Sequence, residues 1–248
     1  MDRMRAVAFG LIVHLLRFGL IWAGSSVAPI VGITGWWIGL FVNALCVLFA
    51  VILVTRLHLW RASGFLTAWR GWMALAALSL PVAEAAIRST FGLEDRAPGV
   101  GWWALTLLLV GINEELISRV VVLHRMALSF PPVAAVALTA ALFGAQHLSA
   151  FATTDRTASD ILLNVVASAC YGFALAAFQC RFSWIWPLML VHAAADFTTI
   201  LSRFHDPGDV LAIVTSVGFA VYGLILLRRA RGTARAIPPR VPRTADSS

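Results

Sequence analysis

At 248 residues, 60% of them hydrophobic and only 12% charged, and with a mean hydropathy of +0.85, the chain is too apolar for an ordinary soluble domain. A bilayer-crossing helix needs about 20 mostly apolar residues, so this length holds roughly seven to nine spans and leaves no room for a separate soluble catalytic domain. The net charge of +7 is carried by arginines in loops that flank apolar runs, a pattern of topology determinants rather than of a nucleic-acid partner.

In chain order the apolar runs predict spans at 6–24, 36–55, 71–91, 101–123, 131–152, 161–180, 183–203 and 209–227. The expected fold class is therefore an all-α, polytopic membrane helical bundle of about eight transmembrane helices. Ahead of the first run, Met1 to Arg5 has the look of a signal-peptide n-region. The stretch Gly24-Ser-Ser-Val-Ala-Pro29 is a poor cleavage site and Arg17 interrupts the apolar region, so a retained first helix is expected. Between the second and third runs, Leu57, Leu59, Trp60, Phe65, Leu66 and Trp69 are interleaved with Arg56, Arg61 and Arg70, the composition of a helix lying in the interface. After Leu227 an Arg- and Pro-rich tail reads as disordered.

Eight spans put both termini on one side, and the arginines sort accordingly. One side holds Arg3, Arg5, Arg56, Arg61, Arg70, Arg125, Arg181, Arg228, Arg229, Arg231, Arg235, Arg240 and Arg243. The other holds only Arg96, Arg156 and Arg203, beside Glu94, Asp95, Asp155, Asp160, Asp206 and Asp209. The asymmetry assigns both termini to the cytoplasm of a multi-pass protein of a bacterial plasma membrane. Cys46, Cys170 and Cys180 lie in or beside apolar runs without CxxC spacing, so neither disulfides nor a cysteine metal site is inferred.

A charge at bilayer depth costs about 2.5–3.5 kcal/mol on insertion scales and faces a protein interior or a wet cavity. The residues concerned are His14, Arg17, Glu84, Arg88, Glu114, Glu115, Arg119, His147, His192 and Asp196. Glu84 with Arg88, and Glu115 with Arg119, have the four-residue spacing of same-face ion pairs. His14 and Arg17 are expected to snorkel to an interface. Glu114 lies about 100° around its helix from Glu115 and needs partners elsewhere, the available ones being His147, His192 and Asp196. A carboxylate and two imidazoles from three helices form a plausible catalytic zinc set with one position open for water; a histidine packed in a bundle is the blander reading of each alone.

In order along separate apolar helices, Glu114-Glu115-Leu-Ile-Ser-Arg119 matches EExxxR, Phe143-Gly-Ala-Gln-His147 matches FxxxH, and His192-Ala-Ala-Ala-Asp196 matches HxxxN/D. Together they resemble the motifs of the CPBP family, the type II CAAX prenyl endopeptidases and bacteriocin-processing intramembrane proteases. The resemblance implies peptide-bond hydrolysis within the bilayer, with Glu114 and His147 activating a water and His192 and Asp196 on the oxyanion or metal side. Glu115, Arg119 and Phe143 take supporting roles. The implied metal ligands are Glu114, His147, His192 and Asp196, and the cofactor is zinc. The implied partners are the lipid bilayer and a peptide or membrane-protein substrate.

Position 118 is Ser and position 120 is Val where the family often has an aromatic and a glycine, and position 196 is Asp where many members have Asn. An ionised Asp cannot donate to an oxyanion, so Asp196 is either protonated or a metal ligand. The chain then divides into N-terminal spans with an interfacial segment (1–100), a catalytic helical core (101–227) and a tail (228–248). Two other classes stay open: a non-catalytic scaffold or bacteriocin-immunity protein, and an ion- or proton-coupled transporter, whose usual internal repeat is not evident. Among other intramembrane proteases, HExxH, GxGD and a GxSx nucleophile paired with a later histidine are absent.

Overall fold

The computed structural model describes residues 2–204 and 210–230, with side chains to 228. The tail beyond residue 230 and the acidic loop residues Asp206 and Asp209 lie outside them. The described residues form an α-helical membrane bundle with no strand, apart from one isolated bridge between Leu93 and Ser202.

The first helix, α1 (Arg3–Val27), is capped by the Asp2 carboxylate, which accepts from the Met4 N–H at 3.1 Å. It is inside-out relative to a soluble helix: Leu11, Ile12, Leu15 and Leu16 are exposed while His14 and Arg17 are buried. An apolar exterior over a polar interior is what a lipid solvent imposes. Five segments among the described residues are long and apolar enough to cross a membrane: Arg3–Val31, α2 (Trp37–Arg56), Pro132–Thr153, α10 (Ala158–Phe182) and Val210–Arg228. A shorter apolar helix, α11 (Ile185–Leu201), adds a further apolar segment. The expected count of eight is thus not reproduced as eight continuous spans.

Of the three expected spans outside those five, 183–203 is the shorter α11, 101–123 changes helix type partway along, and 71–91 is interrupted. The run 71–91 is two short helices, α4 (Trp72–Ala76) and α5 (Ser79–Ser89), after a still shorter α3 (Trp60–Ser63). Pro81 explains the break, because its ring would strike the carbonyl of Ala77, four residues back, if one helix ran through. The carbonyl so released accepts instead from the Tyr222 hydroxyl at 2.7 Å. The interfacial helix expected over 56–70 is reduced to α3 and coil. That coil is pinned to the core by Gln179 Nε2 donating to the Ser63 carbonyl (2.9 Å) and by the Trp184 and Trp186 indoles donating to the Thr67 carbonyl (2.8 and 3.0 Å).

Helix α6 (Val100–Glu115) continues without interruption through a π-helical stretch, Leu116–Val122, into α7 (Leu123–Ala127). Such π turns occur mostly singly and at functional sites. Next, α8 (Pro132–Ala145), entered through Pro132 in its first turn, leads by a 3₁₀ turn, Gln146–Ser149, into α9 (Ala150–Thr153). The last described helix is α12 (Val210–Ala230), which packs with α8 against α10, while α6 packs against α11.

Glycines set the separation of the helices that carry the polar residues. A Cβ at Gly111 would lie 2.5 Å from the Met189 carbonyl oxygen, and one at Gly144 would lie 2.6 Å from that of Val165. The α6–α11 and α8–α10 backbones therefore approach as small residues permit in membrane helix packing. The junction after α5 is tied to the end of α11 by Glu94 N–H to Leu201 carbonyl (2.7 Å), Arg203 N–H to Gly92 carbonyl (3.0 Å) and Ser202 hydroxyl to Arg88 carbonyl (2.6 Å). This holds Glu84 and Arg88 against the bundle.

Candidate active site

Glu115 and Arg119 are fully buried at the α6 to π-helix junction, with Arg119 Nε 3.1 Å from Glu115 Oε2. The Arg119 guanidinium also stacks over the Phe143 ring at 4.2 Å, joining α8 to this pair. The other Glu115 oxygen accepts from His192 Nδ1 on α11 at 2.8 Å. With its proton directed at Glu115, the imidazole presents Nε2 to the opposite side. There it faces Glu114 Oε2 at 3.8 Å and Asp196 Oδ2 at 3.6 Å, separations that suit a bridging water better than a direct bond.

Glu114 has partners that sequence reading did not assign. Arg17 Nη2 is 2.7 Å from its Oε1, and Gln146 Nε2 donates to its Oε2 at 3.0 Å. Arg17 Nε also donates to Asn113 Oδ1 at 2.8 Å, and His14 Nδ1 stands 3.0 Å from Gln146 Oε1. The snorkelling expected of His14 and Arg17 is corrected: they are 7% and 8% exposed and form the wall behind Glu114. A charge in an otherwise apolar run is expensive enough to have signalled this. Gln146, which directly precedes the motif histidine, gave no such signal.

His147 sits in the 3₁₀ turn with Nδ1 3.1 Å from the Phe143 carbonyl, while its Nε2 faces the Ser168 hydroxyl at 3.5 Å. The pair predicted for Glu84 and Arg88 is present at 3.4 Å. Rather than lying apart, it lines the same cavity as the motif residues. That cavity, of about 730 Å³, is bounded by Glu114, His147, His192 and Asp196 together with Tyr171, Ser168, Asn164 and Phe143. The three motifs thus meet around one space, and Tyr171, which the motifs did not flag, meets them there.

The fit to a metal is partial. Both imidazoles have Nδ1 engaged, as metal-ligating histidines do; His192 Nε2 faces the two carboxylates, and His147 Nε2 is in long contact with the Ser168 hydroxyl. Glu114, however, is held by a guanidinium at 2.7 Å, which opposes a cation on the same carboxylate. Among the described residues no group of three His, Cys, Asp or Glu side chains converges closely enough to hold an ion.

Residues 96–198 match a family model described as type II CAAX prenyl endopeptidase, Rce1-like. The matched segment runs through α6, α8, α10 and most of α11 and contains all three motifs. No curated protein and no solved structure matches the chain.

Proposed function

From a core, residues 96–198, that its family match assigns to the CPBP family of CAAX-type membrane proteases, we propose that the protein hydrolyses peptide bonds inside the bilayer. The observation that carries this reading is the meeting of Glu114, His147, His192 and Asp196 around one cavity, with His192 oriented from behind by Glu115. Amide hydrolysis requires a nucleophilic water, a general base and a donor or positive group for the developing oxyanion.

In the proposed reaction a water in the gap between Glu114 and His192 gives its proton to Glu114 and attacks the scissile carbonyl carbon. Collapse of the tetrahedral intermediate re-forms C=O, breaks the C–N bond and returns the proton to the leaving amine. Arg17 and Gln146 fix the two oxygens of Glu114. His147, whose Nε2 is held only by a long contact to Ser168, assists in orienting the water, and Asp196 holds the His192 side of the gap. The Glu115–Arg119 pair serves position rather than chemistry.

Zinc is a separate proposal. His147 and His192 would hold it through Nε2, with Glu114 or Asp196 as the carboxylate, and it would supply a lowered water pKa and charge for the oxyanion. No step above depends on it. The cytoplasmic placement of both termini, the bacterial plasma membrane and a lipid-embedded peptide as substrate complete the proposal. The test is cleavage of a panel of internally quenched peptides with apolar segments, in proteoliposomes, by wild type and Glu114→Gln. Cleavage that depends on Glu114 supports hydrolysis. Ion flux without cleavage would instead favour a transporter.

A further inference from the structure

The cavity occupies one half of the bundle. Among the described residues α6 lines it within 107–114, α10 within 160–171, α11 within 192–200 and α12 within 212–219. The apolar core takes the other part of the same helices: 116–126 in the continuation of α6, 175–178 in α10, 184–191 around the start of α11, and 226–227 in α12. Glu114 and His192 stand at the boundary. From them the space runs to a rim that holds Arg88 of α5 and the exposed Arg156 and Asp160 at the start of α10. Between floor and rim the wall carries Asn164, Ser168, Thr199, Thr215 and Ser216, and polar groups at membrane depth mark a wet cavity. The two ends also differ in charge. At the closed end Arg70 Nη2 donates to the Ser183 carbonyl (3.1 Å) in the turn between α10 and α11, and Arg3 and Arg125 stack over Phe130 and Phe9 where α1 begins and α7 ends. The open end holds the arginine-poor, acidic loops, with Glu94 N–H bonded to the Leu201 carbonyl at the end of α11.

We propose that Glu114 and His192 are reached through this polar shaft from the extracytoplasmic face of the membrane, and that the substrates are peptide segments presented at the outer leaflet. The side of the opening follows from the packing together with the arginine asymmetry, since arginine-rich loops stay in the cytoplasm. The substrate class rests in addition on the hydrolase reading. Water for hydrolysis enters by the same shaft. A cytoplasmic peptide would have to pass the close-packed Leu, Ile, Val and Phe of the closed half to meet Glu114.

Thiolates in water react with maleimides while thiols held in lipid do not ionise, so single cysteines read the shaft without calling on catalysis. Asn164→Cys and Thr199→Cys probe its wall from two helices, so that one misfolded variant does not decide the result; Asp155→Cys and Arg61→Cys mark the open and closed ends. Each is treated with a membrane-impermeant maleimide in right-side-out and inside-out plasma-membrane vesicles, and labelled positions are assigned by peptide mass mapping. The two wall positions and Asp155→Cys should label in right-side-out vesicles, and Arg61→Cys only in inside-out ones. Wall positions that label only in inside-out vesicles, or in neither, would overturn the opening. The second arm adds an impermeant, internally quenched peptide to the same two preparations of wild type and Glu114→Gln. Cleavage by right-side-out wild type that is lost in Glu114→Gln is expected, and cleavage confined to inside-out vesicles would overturn the proposal. If neither preparation cleaves while the wall labels from outside, the hydrolase reading fails and the substrate class falls with it, but the outward opening stands.

Discussion

Two adjacent glutamates meet different surroundings because one helical step turns them about 100° apart. Glu115 points into a closed network of Arg119, His192 and the Phe143 face, with no exposure on its side chain or that of Arg119. Removing one member of a buried pair leaves the other charge uncompensated. Arg119→Ala should therefore lower unfolding stability in detergent by about 3–5 kcal/mol, seen as a drop in melting temperature. Glu114 faces the cavity and is clamped from behind by Arg17. Arg17→Gln should reduce turnover by freeing the carboxylate to swing, with a smaller loss of stability than Arg119→Ala. A stable Arg119→Ala beside an unfolded Arg17→Gln would reverse these assignments. The spacing in EExxxR was enough to separate the two carboxylates, because helix geometry is local. Arg17 was legible only as a costly charge: which helix α1 packs against is a tertiary fact that its own sequence does not carry.

Helix α6 and its π-helical continuation deliver Glu114, Glu115 and Arg119, and α11 delivers His192 and Asp196 at the distance that Gly111 allows. A side chain at Gly111 must push on the α11 backbone at Met189 and Ala193. Gly111→Val is accordingly expected to break the His192–Glu115 bond and to lose both activity and stability, measured by cleavage and thermal melting; wild-type behaviour would mean that the helices separate without consequence. Apolar runs located most helices to within a few residues, since burial in lipid follows composition. They failed over 71–91, where Pro81 breaks the helix at a point that hydropathy averages over. The interfacial helix read from interleaved arginines and apolar residues over 56–70 is likewise mostly absent, because the chain there answers to specific bonds from Gln179, Trp184 and Trp186. The Ala77 carbonyl freed by that proline is satisfied by Tyr222, so Tyr222→Phe should cost about 1–3 kcal/mol, read in the same melting assay.

Across the whole bundle, the arginine asymmetry and the inside-out burial of α1 describe one object: a protein whose polar groups converge on an interior cavity while Leu and Ile face outward. Metal analysis of the purified protein bears on the zinc proposal. Stoichiometric zinc in wild type that is lost in His147→Ala and His192→Ala would support it, and none in active wild type would remove it. The central claim is that Glu114 activates water for peptide hydrolysis in this cavity. Its most direct measurement is the rate of peptide cleavage in proteoliposomes by wild type and Glu114→Gln, each normalised to folded protein because Arg17 loses its partner in the variant. The account predicts cleavage by wild type and none above background by Glu114→Gln. Cleavage at the wild-type rate by folded Glu114→Gln would contradict it.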